Sequence, residues 1–220
     1  MKKILITGSA GLIGSEAALH WLSLGIKVYG IDNNSRMDFF GPKGDVRSVI
    51  RDLSTFSNYS HYDVDIRNRE DVKSTIKTIN PDAIIHCAAQ PSHDKAASIP
   101  FDDFDTNAAG TINLLEAARN LDNPDLVFIH MSTNKVYGDT PNYLDLTETD
   151  TRYDFKDKKY LNGIDETMSI DSCMHSLFGA SKVSADIYVQ EYGKYFGMNT
   201  GVFRGGCLTG SRHAGVELHG

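Results

Sequence analysis

The most constraining feature of this chain is a short β-branched run that leads directly into three glycines spaced three residues apart, within residues 3–14. The run predicts a strand, and the glycines predict a tight turn and the start of a helix. Glycine permits positive φ, its missing side chain lets backbone approach a pyrophosphate, and the unpaired N–H groups of a first helical turn attract that anion. The stretch therefore predicts a dinucleotide-binding turn, with candidate cofactor contacts at Gly8, Ala10, Gly11, Leu12, Ile13 and Gly14.

An acidic residue at the end of the second predicted strand indicates which dinucleotide binds. The strand covers Lys27–Ile31, and Asp32 follows it, eighteen residues after Gly14. A carboxylate there is placed to accept a hydrogen bond from a ribose hydroxyl, whereas a phosphate at roughly 4 Å would cost about 4 kcal/mol. Asp32, with Asn33 beside it, therefore predicts NAD rather than NADP, and Arg36 is the one residue that argues the other way.

Composition bounds the classes of protein that this chain can belong to. The 220 residues, 40% hydrophobic and 23% charged, predict one globular domain with a substantial core. The net charge of −7, without a basic cluster, argues against nucleic acid or an anionic membrane as partner.

No apolar run approaches the ~20 residues that span a bilayer, and the start of the chain leaves no room for a signal peptide, so a cytoplasmic location is expected. Three cysteines without metal-ligand spacing predict reduced thiols and no metal site.

The rest of the chain alternates between strand and helix patterns. A first helix carries Ile13, Ala17, Trp21 and Leu24 at helical spacing. Further strands are predicted over 59–64, 83–86, 126–129 and 200–204, with helices over 70–79, 105–119 and 177–196. Segments 33–57 and 138–173 lack a sustained period and are predicted as long connections, the first with a short helix over 46–53. This alternation predicts a doubly wound α/β fold with a parallel sheet, a Rossmann fold over residues 1–205.

In such a fold, ligands bind beyond the carboxyl ends of the strands. The residues that follow the predicted strands are therefore further site candidates: Asp65, Ile66, Ala88, Ala89, Gln90, Ser92, His93, Ser132, Thr133, Asn134 and Arg204. Ser92 and His93 are interpreted as lining a substrate pocket, although both equally suit a polar loop. Asn107 is expected either to orient backbone near the site or to be a polar residue on an amphipathic helix.

Several motifs resemble the extended short-chain dehydrogenase/reductase family, the NAD-dependent nucleotide-sugar epimerases and dehydratases, over nearly the whole chain. They are Thr7-Gly8-x-x-Gly11-x-x-Gly14, Asp32-Asn-Asn, Asp65-Ile-Arg67, His86-Cys-Ala-Ala89, Asn107-x-x-Gly110-Thr-x-Asn-Leu-Leu-Glu116-Ala, Ser132-Thr-Asn-Lys-Val-Tyr-Gly138 and Ser181-Lys182. Within the family, the sixth of these motifs, Glu148-Thr-x-Thr-Arg-Tyr153 and Gly163-x-Asp-Glu166 most resemble the CDP-paratose (CDP-tyvelose) 2-epimerases.

The resemblance implies roles for individual residues. Asp65 and Ile66 would flank the adenine, Ala88 and Ala89 would contact the dinucleotide, and Lys182 would hold the nicotinamide ribose. Thr133 takes the place of the hydroxyl that bonds to the sugar oxygen being oxidised. Dehydratases of this family carry an Asp-Glu pair after that hydroxyl to eliminate water, whereas Asn134 and Lys135 stand here. The resemblance therefore favours an epimerase that oxidises a CDP- or UDP-hexose transiently to a keto-sugar.

Two further expectations come from the resemblance. Family members dimerise through helices that correspond to 105–119 and 177–196, and Tyr188, Val189, Tyr192 and Tyr195 on the second indicate a homodimer. Extended members also continue beyond the sixth strand with a lobe that grips the nucleotide diphosphate. That C-terminal substrate lobe is expected to be largely missing here, with residues 206–220 as the start of an incomplete substrate-binding region.

The chain departs from the family pattern at residue 178. The family carries a tyrosine four residues before the lysine, where its hydroxyl takes a proton from the sugar, and this chain has Phe178. Three explanations remain open: a substitution made to trap a complex, an active enzyme with another base, and an NAD-binding protein without redox chemistry. His175 and Tyr137 are the nearest candidates for another base.

Overall fold

A six-stranded parallel sheet forms the centre of the protein in a computed structural model that describes residues 2–212. Two short strands, β6 and β7, form a separate hairpin, and the central sheet has the order β3-β2-β1-β4-β5-β8. The strands are β1 Lys3–Thr7, β2 Lys27–Ile31, β3 Tyr59–Tyr62, β4 Ala83–His86, β5 Val127–Thr133, β6 Leu146–Glu148, β7 Tyr153–Phe155 and β8 Asn199–Gly205. The order changes direction between β1 and β4, which is where a doubly wound sheet binds its ligand. The predicted Rossmann fold is confirmed.

Helices cover both faces of this sheet. They are α1 Leu12–Ser23, α2 Ser35–Phe40, α3 Arg47–Leu53, α4 Arg69–Ile79, α5 His93–Ala96, α6 Pro100–Phe104, α7 Gly110–Arg119 and α8 Ser176–Phe196. Side chains alternate across β1, so that Ile4 and Ile6 join the core under α1 and α3, while Leu5 joins the core under α4, α7 and α8. No helix among residues 2–212 is long and apolar enough to cross a membrane.

The buried face of α1 differs from the predicted one. Gly14, Ser15, Ala18 and Leu22 face the core, whereas Leu24 is 59% exposed. Small residues on this face let the helix approach the sheet closely, so the large apolar residues flank the contact instead of filling it. Ile13 lines the cavity described below.

Both segments predicted as connections contain short elements. The first holds α2 and a 3₁₀ turn, Gly41–Gly44, in addition to the predicted helix at α3. None of the six residues of α2 is fully buried, so the segment shows no apolar period. The second holds the β6–β7 hairpin, whose strands have only three residues each and are therefore too short to show alternation.

The helix predicted from residue 105 starts earlier and is interrupted. Helical structure begins at Pro100, passes through a π-helical turn at Asp105–Ala109 and continues as α7. A π turn widens the helix by one residue and often occurs at a functional site. Here it holds Asn107, which is 1% exposed. Of the region predicted at 206–220, residues 213–220 lie outside the described residues.

Candidate active site

The carboxyl ends of the central strands open onto a cavity of about 680 Å³. Because parallel strands end at one edge of the sheet, residues far apart in sequence meet there. Most of the candidate site residues line this cavity: Gly8, Gly11, Leu12, Ile13, Gly14, Asp32, Asn33, Asp65, Ile66, Ala88, Ala89, His93, Thr133, Asn134, Phe178 and Lys182. Ala10, Gln90, Ser92, Asn107 and Arg204 are not among its lining residues.

The glycine-rich turn is packed so tightly that two of its glycines admit no side chain. Gly8 has a φ of +64°, and a Cβ there would lie 2.7 Å from the backbone nitrogen of Ala88. A Cβ at Gly14 would overlap the carbonyl oxygen of Gly8. The first turn of α1 contains no acidic residue, and Gly11, Leu12, Ile13 and Gly14 line the cavity at the start of this helix, where unpaired amide groups attract an anion. This cradle fits the pyrophosphate of a dinucleotide.

Asp32 fastens the glycine-rich turn to the end of β2. Its Oδ2 accepts a hydrogen bond from the backbone N–H of Ala10 at 3.0 Å, and its Oδ1 accepts one from Asn34 at 2.9 Å. Burial raises the pKa of Asp32, and these two backbone bonds oppose the rise. Each carboxylate oxygen keeps a lone pair, so Asp32 retains the capacity to accept from a ribose hydroxyl.

Asn107 lies behind the cavity wall, where it braces the segment after β4. Its Oδ1 accepts from the backbone N–H of Gln90 at 2.9 Å, and its Nδ2 lies 3.2 Å from the Gln90 carbonyl oxygen, 3.1 Å from Asp103 and 3.0 Å from Ser181 Oγ. The Gln90 side chain donates to Asp103 at 2.8 Å and to the carbonyl oxygen of Ser92. Ser92 caps α5 by accepting from the N–H of Lys95. These residues position backbone around the cavity.

Arg204 joins β8 to α8 beside the site. It forms two hydrogen bonds to the buried carboxylate of Asp186, at 2.9 and 3.0 Å. Ser132 Oγ donates to the same carboxylate at 2.6 Å. Burial alone would raise the pKa of Asp186, but the bonds from Arg204, Ser132 and Gln190 hold it below its usual value. Asp186 therefore stays ionised and ties the ends of β5 and β8 to α8.

Lys182 and Phe178 both line the cavity from α8. They are four residues apart on the helix and so share a face. Lys182 is 4% exposed, and its Nζ donates to the carbonyl oxygen of Met131 at 2.9 Å. Burial lowers the pKa of Lys182 to about 8, although Cys87, Asp186 and Asp103 oppose the shift. Thr133 lies at the end of β5 and accepts at Oγ1 from the N–H of Lys135.

The two candidates for a replacement base lie away from the cavity lining. His175 precedes α8, with Nδ1 3.2 Å from the carbonyl oxygen of Lys135 and Nε2 2.7 Å from that of Ile170. Tyr137 is 6% exposed, and its hydroxyl accepts from Arg204 at 3.0 Å. Both side chains therefore bond to other parts of the protein and do not face the cavity.

Gly206, Cys207 and Leu208 also line the cavity, directly after β8, at the start of the region 206–220 that the sequence predicts to begin a substrate-binding region. One feature of the site was not predicted. His130 lies on β5 with its Nε2 3.5 Å from Lys182 Nζ. A histidine inside an otherwise apolar strand was the signal in that case. Among residues 2–212, no group of three His, Cys, Asp or Glu side chains is arranged to hold a metal ion.

Comparisons with known proteins identify one family that matches nearly the whole chain. The profile of the NAD dependent epimerase/dehydratase family matches residues 4–217. The chain belongs to this family. Membership in the NAD dependent epimerase/dehydratase family confirms the predicted resemblance and the expectation of NAD as the cofactor.

Two curated relatives and one solved structure illustrate the similarity. The chain is 41% identical over 210 residues to CDP-paratose 2-epimerase of Salmonella typhi, covering 96% of this chain and 58% of that protein. It is 30% identical over 205 residues to dTDP-glucose 4,6-dehydratase 1 of Escherichia coli K12, covering 90% and 52%. UDP-glucuronic acid 4-epimerase from Bacillus cereus, solved with UDP-glucuronic acid and NAD, superposes with a TM-score of 0.68 at 26% identity, covering 92% and 55%. The chain thus spans about half the length of these epimerase/dehydratase family members.

Proposed function

We propose that this chain is the cofactor-binding part of an NAD-dependent nucleotide-sugar epimerase that acts on a CDP- or UDP-hexose. The observation that carries the proposal is the meeting of the glycine-rich turn, Asp32, Thr133 and Lys182 around one cavity. The 41% identity to a CDP-paratose 2-epimerase supports a nucleotide sugar as the substrate class.

Each of these residues has a distinct task in the proposal. Bound NAD supplies a hydride acceptor. The amide groups at the start of α1 hold its pyrophosphate, Asp32 accepts from the adenosine ribose, and Asp65 and Ile66 flank the adenine. Lys182 holds the nicotinamide ribose. Thr133 Oγ1 bonds to the sugar hydroxyl that is oxidised, while Asn134, Ser92 and His93 belong to the sugar pocket or its supporting loops.

A dehydratase is the second candidate, because dTDP-glucose 4,6-dehydratases are among the relatives. Elimination of water needs a general acid and a base in addition to the oxidation step. Asn134 and Lys135 follow Thr133 at the end of β5, so the carboxylates for that elimination are not supplied there. We therefore favour epimerisation.

An NAD-binding protein without redox turnover is the third candidate, and Phe178 favours it. The decisive experiment adds CDP-paratose and UDP-glucose in heavy water to the purified chain loaded with NAD, and follows the near-ultraviolet absorbance of reduced nicotinamide and the sugar by NMR. An epimerase gives transient reduction and an epimer without deuterium at the inverted carbon, because the same hydride returns. Loss of water from the sugar would instead indicate a dehydratase, and bound NAD that is never reduced would indicate the binding protein.

We also propose a homodimer in the cytoplasm. Tyr188 and Tyr195 of α8 are 43% and 80% exposed, and Phe101 and Phe104 of the neighbouring α6 are 83% and 53% exposed. Val189 and Tyr192, by contrast, face the core, because Tyr192 packs under α7 and bonds to Glu116 at 2.8 Å. The exposed aromatic residues of α6 and α8 support an interface between two copies of the chain.

A further inference from the structure

The environment of Lys182 is unusual for a residue whose family role is to hold a ribose and assist a neighbouring tyrosine. Its Nζ is fixed by the Met131 carbonyl oxygen at 2.9 Å and lies 3.5 Å from Nε2 of His130, at the outer limit of a hydrogen bond. His130 is fully buried, and its Nδ1 has no hydrogen-bond partner among the described residues. The amine therefore lies between a carbonyl and an uncharged ring.

The second observation is the missing hydroxyl one turn away. Phe178 lines the cavity but offers no proton acceptor, and His175 and Tyr137 are bonded elsewhere, as described above. Cys87 also lines the cavity, but burial raises the pKa of its thiol to about 12. His93 also lines the cavity, with Nδ1 3.1 Å from Asp94, but it lies on α5 and not on the helix that carries Phe178. Lys182, in contrast to these four groups, lies on α8 itself, on the same helix face as Phe178.

We propose that the Nζ amine of Lys182 itself takes the proton of the sugar hydroxyl, in place of a hydroxyl at residue 178, and that His130 is the positioning residue that holds this amine. The inference rests on the proposed epimerase function. In the oxidation, the O–H proton passes to the neutral amine, which becomes an ammonium, and the C–H hydride passes to the oxidised nicotinamide, leaving a ketone. The reverse transfers restore the alcohol and the neutral amine.

The charges around Lys182 are consistent with this role. Burial lowers its pKa to about 8, so the ammonium is the major form near pH 7 and the neutral amine becomes the major form above about pH 8. The groups that face it are Cys87 and His86 at the end of β4, Asp103 of α6, His130 of β5 and Asp186 of α8. His86 and His130 are uncharged, because burial and the nearby ammonium hold the pKa of His86 at about 3 and that of His130 well below its usual value.

The first test measures the amine directly, without turnover. Protein labelled with ¹⁵N at lysine Nζ is titrated by NMR, with the Lys182 signal assigned through Lys182→Arg. We expect Lys182 to titrate at lower pH than the other lysines, and His130→Phe to move its midpoint lower still, because an acceptor that stabilises the ammonium is lost. His61→Phe is the matched control, since the buried Nδ1 of His61 likewise has no hydrogen-bond partner within residues 2–212 but lies on β3. A Lys182 midpoint that is ordinary, or one that His130→Phe leaves in place, would overturn the inference.

The second test separates proton transfer from ribose holding. Arginine keeps the positive charge and the hydrogen-bond donors of Lys182 but does not act as a base near neutral pH. We expect Lys182→Arg to reduce NADH formation with CDP-paratose by at least ~10²-fold in the Phe178 protein, and by only about tenfold in a Phe178→Tyr background, where a tyrosine takes the proton.

Failure of the inference and failure of the proposed function give different results. If the Phe178 protein forms no NADH while the Phe178→Tyr protein does, the amine does not replace the tyrosine, and the epimerase proposal stands. Equal losses from Lys182→Arg in both backgrounds would also overturn the inference. If NAD is bound and neither protein reduces it with CDP-paratose or UDP-glucose, the proposed function fails as well.

Discussion

Phe178 and Lys182 lie one helical turn apart on α8 and line the same cavity. In the proposed epimerase, the phenyl ring stands where a tyrosine hydroxyl would reach the sugar. Phe178→Tyr adds one oxygen at that position with little change in volume. Because the Lys182 amine already supplies a base in the inference above, we expect NADH formation from a nucleotide sugar to rise by about tenfold, less than the ~10²-fold or more that a base adds to a site without one.

The matched control for this variant is Phe203→Tyr. It makes the same chemical change on β8, at a side chain that is 56% exposed and not among the cavity-lining residues. Stopped-flow absorbance of both variants and of the unmodified chain measures the difference. An unchanged rate in Phe178→Tyr protein that binds NAD normally would show that a hydroxyl at residue 178 takes no part in the proton transfer.

The second prediction concerns the choice between NAD and NADP. Asp32 lines the cavity at the end of β2, and a 2′-phosphate beside its carboxylate would be repelled. We expect NAD to bind at least tenfold more tightly than NADP, a difference of about 1.4 kcal/mol, and Asp32→Asn to narrow that ratio. Titration calorimetry with both dinucleotides measures it. Equal affinities in the unmodified chain would mean that Asp32 does not face the ribose.

The parts of the site that the sequence predicts are those built from local chemistry and one rule of sheet topology. Gly8, Gly14 and Asp32 belong to a strand–turn–helix unit whose spacing specifies its geometry. Ala88 and Thr133 then follow from the rule that parallel strands end at the same edge.

The remaining contacts join residues that no local pattern relates. Asn107 bonds to Ser181 across 74 positions, and Lys182 approaches His130 across 52. Asn107, Gln90 and Arg204 suit a binding role by residue type, yet side-chain packing gives them partners inside the protein. Short elements such as α2 are equally hard to predict, because too few residues are buried to produce a period.

The third prediction concerns association. If the exposed aromatic residues of α6 and α8 form an interface, Tyr188→Arg places a charge in it and should convert a dimer to a monomer at micromolar concentration, as measured by sedimentation velocity. Tyr143→Arg is the control, because Tyr143 is 77% exposed in the segment between β5 and β6. A monomeric unmodified chain would remove the basis for the interface.

The last prediction concerns stability in mild acid and follows from two neighbouring buried histidines beside Lys182. The ring centroids of His86 and His130 are 5.0 Å apart, and burial, with Lys182 nearby, holds the pKa of His86 at about 3 and that of His130 well below 6.5.

A histidine whose pKa is lower in the folded state than in the unfolded state binds its proton only after unfolding. It therefore contributes stability that is fully present above the unfolded pKa and is lost as the pH falls from 6.5 towards the folded pKa. Each such histidine lowers the free energy of unfolding by about 1.4 kcal/mol per pH unit within that window. We expect denaturant titrations of the unmodified chain to show a decline in the free energy of unfolding as the pH falls below 6.5, and His130→Phe to make that decline shallower. His20→Phe, at an exposed position on α1, should leave the decline unchanged. An identical decline in His130→Phe protein would show that His130 takes up its proton without unfolding, and that the interior behind Lys182 admits water.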